Sequence, residues 1–281
     1  MATQRASNFR IGNMFHETFR LSRPAIAEVL AAAAPKRTER ESFFEVLRAK
    51  TRLGTNYCKA MPRYAQGAGL LKCTNSLTEL GEVVLAKDPA LGLAATQWLL
   101  HYYLSAPQGP GPLFWHFLVT QMLWPGRTLD TGAVAEAIGD FLRNVGQKEP
   151  KERALRSTAT VFLGTYAKSD GLGGLGLIEE IRKGEYRVLS PSPPPLWVLA
   201  FTLADSWSYH WPDQLTVNLS ELGTPGGWAS LFLMDGGTLG QQLQKLKEKG
   251  VLDIYRVAPP YQVVRLWKEE EKGEFLARAY A

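Results

Sequence analysis

The stretch Asp235-Gly-Gly-Thr-Leu-Gly-Gln-Gln-Leu-Gln-Lys-Leu-Lys-Glu-Lys-Gly250, continued by Val251-Leu-Asp-Ile-Tyr-Arg-Val257 and Gln262-Val-Val-Arg-Leu-Trp267, carries the clearest sign of the architecture. Asp235 to Gly237 is a turn, and Thr238 caps a helix running to Gly250. Leu239, Leu243 and Leu246 recur at i, i+4 and i+7, the buried face of an amphipathic helix. Gln241, Gln242, Gln244, Lys245, Lys247 and Lys249 fall largely on its other faces. Two short β-rich runs then flank Ala258-Pro259-Pro260, so a hairpin is expected after the helix. Helix, turn, helix, hairpin is the pattern of a winged helix. In such a module Gln241 suits adenine, and Lys245 suits guanine or phosphate. A module that only docks protein fits the same pattern.

Working outward, Pro191-Ser-Pro-Pro-Pro195 is an extended connector into a buried helix over Leu196 to Trp207. A small hairpin is expected from Leu177 to Ile181 and Tyr186 to Leu189, turning at Lys183-Gly184. Residues 150–168 read as a helix, Asp130-Thr131 caps another to about Val145, and Leu113 to Leu123 is an apolar helix. Ala106 to Pro112 is a Pro/Gly loop and a candidate hinge. Asp88-Pro89 reads as a helix start, with the helix reaching Leu104. Thr78 caps a helix opened by Leu77-Thr-Glu-Leu-Gly81.

The helix–turn–helix–hairpin pattern recurs near 40–75. Phe43, Phe44, Val46 and Leu47 have helical spacing, Leu53 to Asn56 is a turn, a helix runs to about Gln66, and Leu70 to Cys73 is strand-like. Pro62 interrupts that helix and implies a kink or a later start. Upstream, an N-terminal arm leads to Ser22-Arg23-Pro24, which starts a helix through Ala25 to Ala34 that Pro35 stops. The expected fold is mainly α with small β-hairpins and winged-helix-like units near both ends of a helical core. Its divisions are a basic helix-turn-helix domain at 1–105, a central helical region at 106–195 and a winged-helix-like domain at 196–281.

The 281 residues are 45% hydrophobic and 21% charged, which excludes global disorder. The apolar stretch from Leu196 to Ala204 is too short for a bilayer, and Met1-Ala-Thr-Gln-Arg lacks a secretory pattern. With only Cys58 and Cys73, no disulfide framework is expected and a cytoplasmic location is the default. The net charge of +5 is uneven: residues 1–72 hold 13 Lys/Arg against 5 Asp/Glu. A polyanion, most simply DNA, is the partner such asymmetry suggests.

Candidate DNA contacts are therefore Arg20, Arg48, Lys50, Arg52, Asn56, Lys59 and Arg63, with Gln241 and Lys245 on the C-terminal helix. Phe15-His16-Glu17-Thr18-Phe19 sets a polar triplet between two aromatics. Adjacent side chains diverge on a helix or a strand, so His16 reads as structural rather than as half of a site with Glu17. Gly171-Leu-Gly-Gly-Leu-Gly176 fits a dinucleotide fingerprint in spelling only, since a helix precedes it; it is expected to be a flexible loop. No Walker loop, zinc-spaced Cys/His set or nucleophile elbow is present, so no catalytic residue and no metal ligand is named.

Phe15-His-Glu-Thr-Phe19 resembles the Gly-His-Glu-Thr-Phe signature of the SspB-like family, once catalogued only as a domain of unknown function. Further likenesses run in order along the chain: Gly54-Thr-Asn56, Lys59-Ala-Met61, Gly69-Leu-Leu71, Leu77 to Gly81, Thr96 to His101, Phe162 to Tyr166, Leu189-Ser-Pro191, Asp205-Ser-Trp207, Thr224-Pro-Gly226 and Phe232 to Thr238. The chain departs at Phe15, where glycine is usual, and at Pro62. Members accompany phosphoadenosine-phosphosulfate-reductase-like enzymes in DNA phosphorothioation and phage-defence clusters. The resemblance implies a DNA-binding accessory subunit that presents, or nicks, DNA for sulfur modification. Implied partners are double-stranded DNA and the reductase-like and ATPase subunits of the same system, with no membrane. Two other readings stand beside it. One is a winged-helix transcriptional regulator, which would be a homodimer. The other is a metal-dependent nuclease in which Glu17, Asp205 or other carboxylates converge. No cofactor is expected, and a divalent metal enters only with the nuclease.

Overall fold

The computed structural model describes residues 9–34 and 42–281; the expected arm before Phe9 and the stop at Pro35 lie outside them. Three helices come first: α1 (Arg23–Ala33), α2 (Phe43–Lys50) and α3 (Thr55–Gly67), all packed on one another. Helix α3 does not start late. It runs through Pro62, whose missing N–H leaves the Cys58 carbonyl without its helical donor. The strand expected at Leu70 to Cys73 is reduced to one bridge between Leu71 and Leu77. The tight turn around Asn75 (φ 60°) leaves too little chain on either side for a ladder.

Helix α4 (Glu79–Lys87) begins where expected, with the Thr78 hydroxyl accepting from the Gly81 N–H at 3.0 Å. A Cβ on Gly81 would stand 2.1 Å from the Leu70 carbonyl oxygen, so only glycine lets α4 approach the turn. The start expected at Asp88 is corrected: α5 spans Ala94–Ser105. The Asp88 carboxylate instead accepts from the N–H groups of Gly92 and Leu93, both at 2.9 Å, closing a turn in which Leu91 is left-handed (φ 53°). Helix α5 is buried on nearly all sides, as a helix apolar around its circumference must be.

The rest of the chain runs through one order of elements twice. First come α6 (Leu113–Met122), β1 (Thr128–Asp130), α7 (Thr131–Asn144), α8 (Glu152–Ala167), β2 (Ile178–Arg182) and β3 (Glu185–Val188). The strands form an antiparallel sheet in the order β1-β3-β2, with Leu129 opposite Tyr186 and Ile178 opposite Val188. Then come α9 (Leu196–His210), β4 (Thr216–Asn218), the single turn α10 (Leu219–Leu222), a 3-10 turn at Trp228–Phe232, α11 (Gly236–Glu248), β5 (Leu252–Tyr255) and β6 (Gln262–Arg265). Their sheet order is β4-β6-β5, with Val263 opposite both Val217 and Ile254. The recurrence thus falls in the middle and at the C-terminal end, rather than at both ends.

The cap expected at Asp130 forms, accepting from Ala133 N–H at 2.9 Å, but the cap expected at Thr238 is corrected: Asp235 caps α11, its carboxylate accepting from the Thr238 N–H at 2.7 Å, so the helix already starts at Gly236. The last helix, α12 (Lys272–Ala279), packs on α9 and stacks Phe275 on Trp197. The glycine run is packed rather than open: it holds a 3-10 turn at Gly173–Leu175, and a Cβ on Gly171 would lie 2.4 Å from the Thr165 carbonyl oxygen. Among the described residues no helix is long and apolar enough to cross a membrane.

One buried network ties the parts together. His101 on α5 donates from Nε2 to the Leu231 carbonyl at 2.6 Å, because a carbonyl can only accept. Its Nδ1 therefore accepts from the Tyr166 hydroxyl of α8 at 2.8 Å, and that hydroxyl accepts from Trp115 Nε1–H of α6 at 2.8 Å. Burial pulls the His101 imidazole down to about 4, so it is neutral.

Candidate nucleic-acid interface

Helix α2 is started by a capping box in which Ser42 and Glu45 bond each other's backbone N–H. It carries Arg48 and Lys50 outward. The Arg48 guanidinium donates to Thr55 Oγ1 at 3.1 Å, across the turn into α3. Arg52 lies in that turn; its backbone N–H bonds Glu28 Oε2 at 3.1 Å while its side chain stays in solvent. Helix α3 buries Cys58, Ala60, Met61, Tyr64 and Ala65 and leaves Asn56, Lys59 and Arg63 exposed. Those three stand at i, i+3 and i+7, one stripe of a helix. Lys59 and Arg63 enter no ion pair among the described residues.

The buried face of α3 packs on the Phe15–Phe19 segment. The Phe15 ring meets Tyr64 edge to face at 4.6 Å, and the Tyr64 hydroxyl donates to the Phe19 carbonyl at 2.9 Å. His16 is buried. Its Nδ1 accepts from the Thr18 N–H at 3.1 Å, so Nε2 carries the proton and donates to Thr158 Oγ1 at 3.0 Å. That hydroxyl in turn donates to the Ala154 carbonyl at 2.9 Å. Burial lowers the His16 imidazole to about 4, against a smaller opposing pull from Glu17. His16 is thus a neutral buried brace.

The chain then turns sharply. Glu17 (φ 47°) and Thr18 (φ 68°) are both left-handed without being glycine, a strained pair that the His16 bonds hold in place. The turn sends the two halves of the motif apart: His16 goes to the core, and Glu17 goes to the surface. There Glu17 shares a cleft of about 460 Å³ with Lys59 and Arg63. Phe9, Phe44 and Asn75 also border it, and Pro62 and Gln66 form part of its floor. The sequence carried no sign that the motif and the basic stripe would meet. Nor did it mark Phe9, in the segment before the motif, or Phe44, since an aromatic on an amphipathic helix such as α2 normally belongs to the core.

The other candidates lie elsewhere. Arg20 is held by Asp170, with Nη2 at 2.9 and 3.0 Å from the two carboxylate oxygens. Gln241 and Lys245 are exposed on α11 and line a shallow groove with Gln244 and Arg256 of the hairpin. Gln242, expected on an outer face, is buried, because the stripe of Leu239, Leu243 and Leu246 is wide enough to include it. Asp205 does not meet Glu17. It accepts from the Tyr102 hydroxyl at 2.9 Å and pairs with Lys272 at 3.0 Å. Among the described residues no three His, Cys, Asp or Glu side chains gather as metal ligands.

No curated protein matches the sequence. Two solved structures share the fold. An SspB crystal structure superposes with a TM-score of 0.76 at 18% identity, over 98% of this chain and 88% of that one. A magnesium-ion-bound SspB crystal structure gives 0.77 at 17% identity, with the same coverages. At such identities the likeness is one of fold. The model of the family described as protein of unknown function DUF4007 matches residues 14–280, from the strained motif to the last helix, and the chain belongs to that family.

Proposed function

We propose that this protein is a DNA-binding accessory subunit of a DNA phosphorothioation or related phage-defence system, presenting double-stranded DNA to a sulfur-transferring partner. The observation that carries the reading is the exposed stripe of Asn56, Lys59 and Arg63, whose two cations open onto the same cleft as Glu17 of the family motif. The stripe sits in the one quarter of the chain with a strong basic excess. The fold likeness to SspB structures supports the same assignment. The reductase-like and ATPase subunits are its proposed partners, and the cytoplasm its proposed location.

The test is a gel shift over a series of salt concentrations. Each neutralised phosphate releases a counterion, so affinity should fall steeply with salt. Replacing Arg52, Lys59 and Arg63 with Ala should flatten the log–log slope by up to about three units. An unchanged slope and affinity would put the binding face elsewhere. The same reactions, run with and without Mg²⁺ and resolved on a denaturing gel, report any nicking.

A second reading, a winged-helix regulator, draws on one observation. The order helix–strand–helix–helix–strand–strand, with the first strand beside the last, is that of a winged helix, and its third helix α11 leaves Gln241 and Lys245 exposed. Selection of a short palindrome from random duplexes, together with a stable homodimer in solution, would favour it.

A further inference from the structure

The cleft beside α3 has a composition that a phosphate-gripping surface alone does not need. Two phenylalanines border it with their rings partly in water: Phe9 is 38% exposed and Phe44 is 37% exposed. Phe43, the neighbour of Phe44, also lines the cleft but is only 7% exposed. Lys59 and Arg63, one helical turn apart on α3, line the same cleft. The guanidinium of Arg10, which also lines the cleft, is engaged by the chain itself, donating to the carbonyls of Gly111 at 2.7 Å and of Pro107. The Gln66 amide is likewise fixed, its Nε2 donating to Asn75 Oδ1 at 2.9 Å, which stiffens the floor. Glu17 and Asn75, which also line it, are both held left-handed. The result is a concavity of about 460 Å³ lined by both aromatic rings and two cations. Duplex DNA offers phosphates to such a surface but hides its base faces in the stack; an unstacked nucleotide offers both.

We propose that this cleft receives one unstacked nucleotide, its phosphate against Lys59 and Arg63 and its base against Phe9 and Phe44. The nucleotide comes either from a single strand or from a duplex by extrusion. The proposal rests on the DNA-binding reading and names the form of DNA that the site takes.

The experiment measures dissociation constants for three fluorescent probes of one length: a matched duplex, the same duplex with a single-nucleotide bulge, and one of its strands alone. A bulge removes the cost of unpairing, and a base on an aromatic ring gains a stacking contact. The bulged duplex should bind about tenfold tighter than the matched one. Phe44→Ala and Phe9→Ala should each erase most of that gain and leave the affinity for the matched duplex within about twofold, while Phe44→Trp should keep it. Thermal unfolding checks that the partly exposed substitutions leave the fold intact. A gain confined to the bulged probe assigns extrusion; a gain shared by the single strand assigns single-strand capture. Equal binding of matched and bulged duplexes, or a gain that survives both alanine variants, would overturn the inference while leaving DNA binding standing. No binding to any probe would overturn both.

Discussion

The central unit, α6 to β3, and the C-terminal unit, α9 to β6, run through the same elements in the same order and close the same three-stranded sheet, yet their third helices have opposite fates. Helix α8 of the central unit is buried continuously from Val161 to Tyr166. The motif segment lies against it, with His16 on Thr158 at 3.0 Å and the Leu21 N–H on Thr165 Oγ1 at 3.3 Å. Helix α11 of the C-terminal unit keeps an exposed face with Gln241, Gln244 and Lys245. One arrangement of strands and helices therefore supports two uses of the same position. In the first the helix has become a brace for the N-terminal motif, and in the second it is free to meet a partner. In the proposed function the basic stripe of α3 takes the role that a symmetrical reading would have given to a second outward helix.

The largest effect should come from the group that joins the two units. His101→Ala would leave the Tyr166 hydroxyl and the Leu231 carbonyl without their partner in a dry core. A loss of about 3–5 kcal/mol in urea-induced unfolding is expected. A loss below about 1 kcal/mol would mean that the units hold together without this network.

Acid should act next. His16 and His101 are neutral when folded, at about 4, while an unfolded histidine titrates near 6.5. The unfolded chain therefore takes up protons first as pH falls below about 6.5, and stability should drop by about 1.4 kcal/mol per pH unit for each residue until about pH 4. Above about 6.5 neither contributes a slope. Unfolding curves at pH 7, 6 and 5 measure it, and His16→Gln should remove one share.

The brace itself is tested by Thr158→Val, which strands His16 Nε2–H. Stability should fall by about 1–3 kcal/mol, with DNA affinity of the folded fraction unchanged. His16→Ala should behave alike; a stable His16 variant that binds DNA but lacks a nicking or sulfur-transfer activity would show that the motif serves chemistry.

The smallest stability effect belongs to the free helix. Gln241→Ala with Lys245→Ala should change unfolding by no more than about 0.5 kcal/mol. If α11 touches DNA, the pair should lower affinity and flatten the salt slope by about one unit. A clear loss of stability with no change in binding would make α11 a brace as well, and the contrast between the units would vanish.

Much of this was written locally. The caps at Thr78 and Asp130, the leucine stripe of α11 and both hairpin turns depend on residues within a few positions of one another, so spacing alone gives them away, whereas the α11 cap fell to Asp235 and not to Thr238. Asp88-Pro89 misled because the same carboxylate that caps a helix can equally close a turn, and the choice fell to where Leu91 packs. The strands β1 and β4 have three residues each and are strands only by pairing with β3 and β6, far along the chain. Composition located the basic quarter and the α3 pattern placed Asn56, Lys59 and Arg63 on one side. It was tertiary packing that gave Arg20 to Asp170, buried Gln242, sent His16 inward, and set Glu17, Phe9 and Phe44 on the same cleft as Lys59 and Arg63. Sequence dictates periodicity and caps because those act through the chain's own few neighbours. Which exposed faces meet, and which charges remain unpaired, depends on contacts between residues remote in the chain, and these exist only once the core has closed.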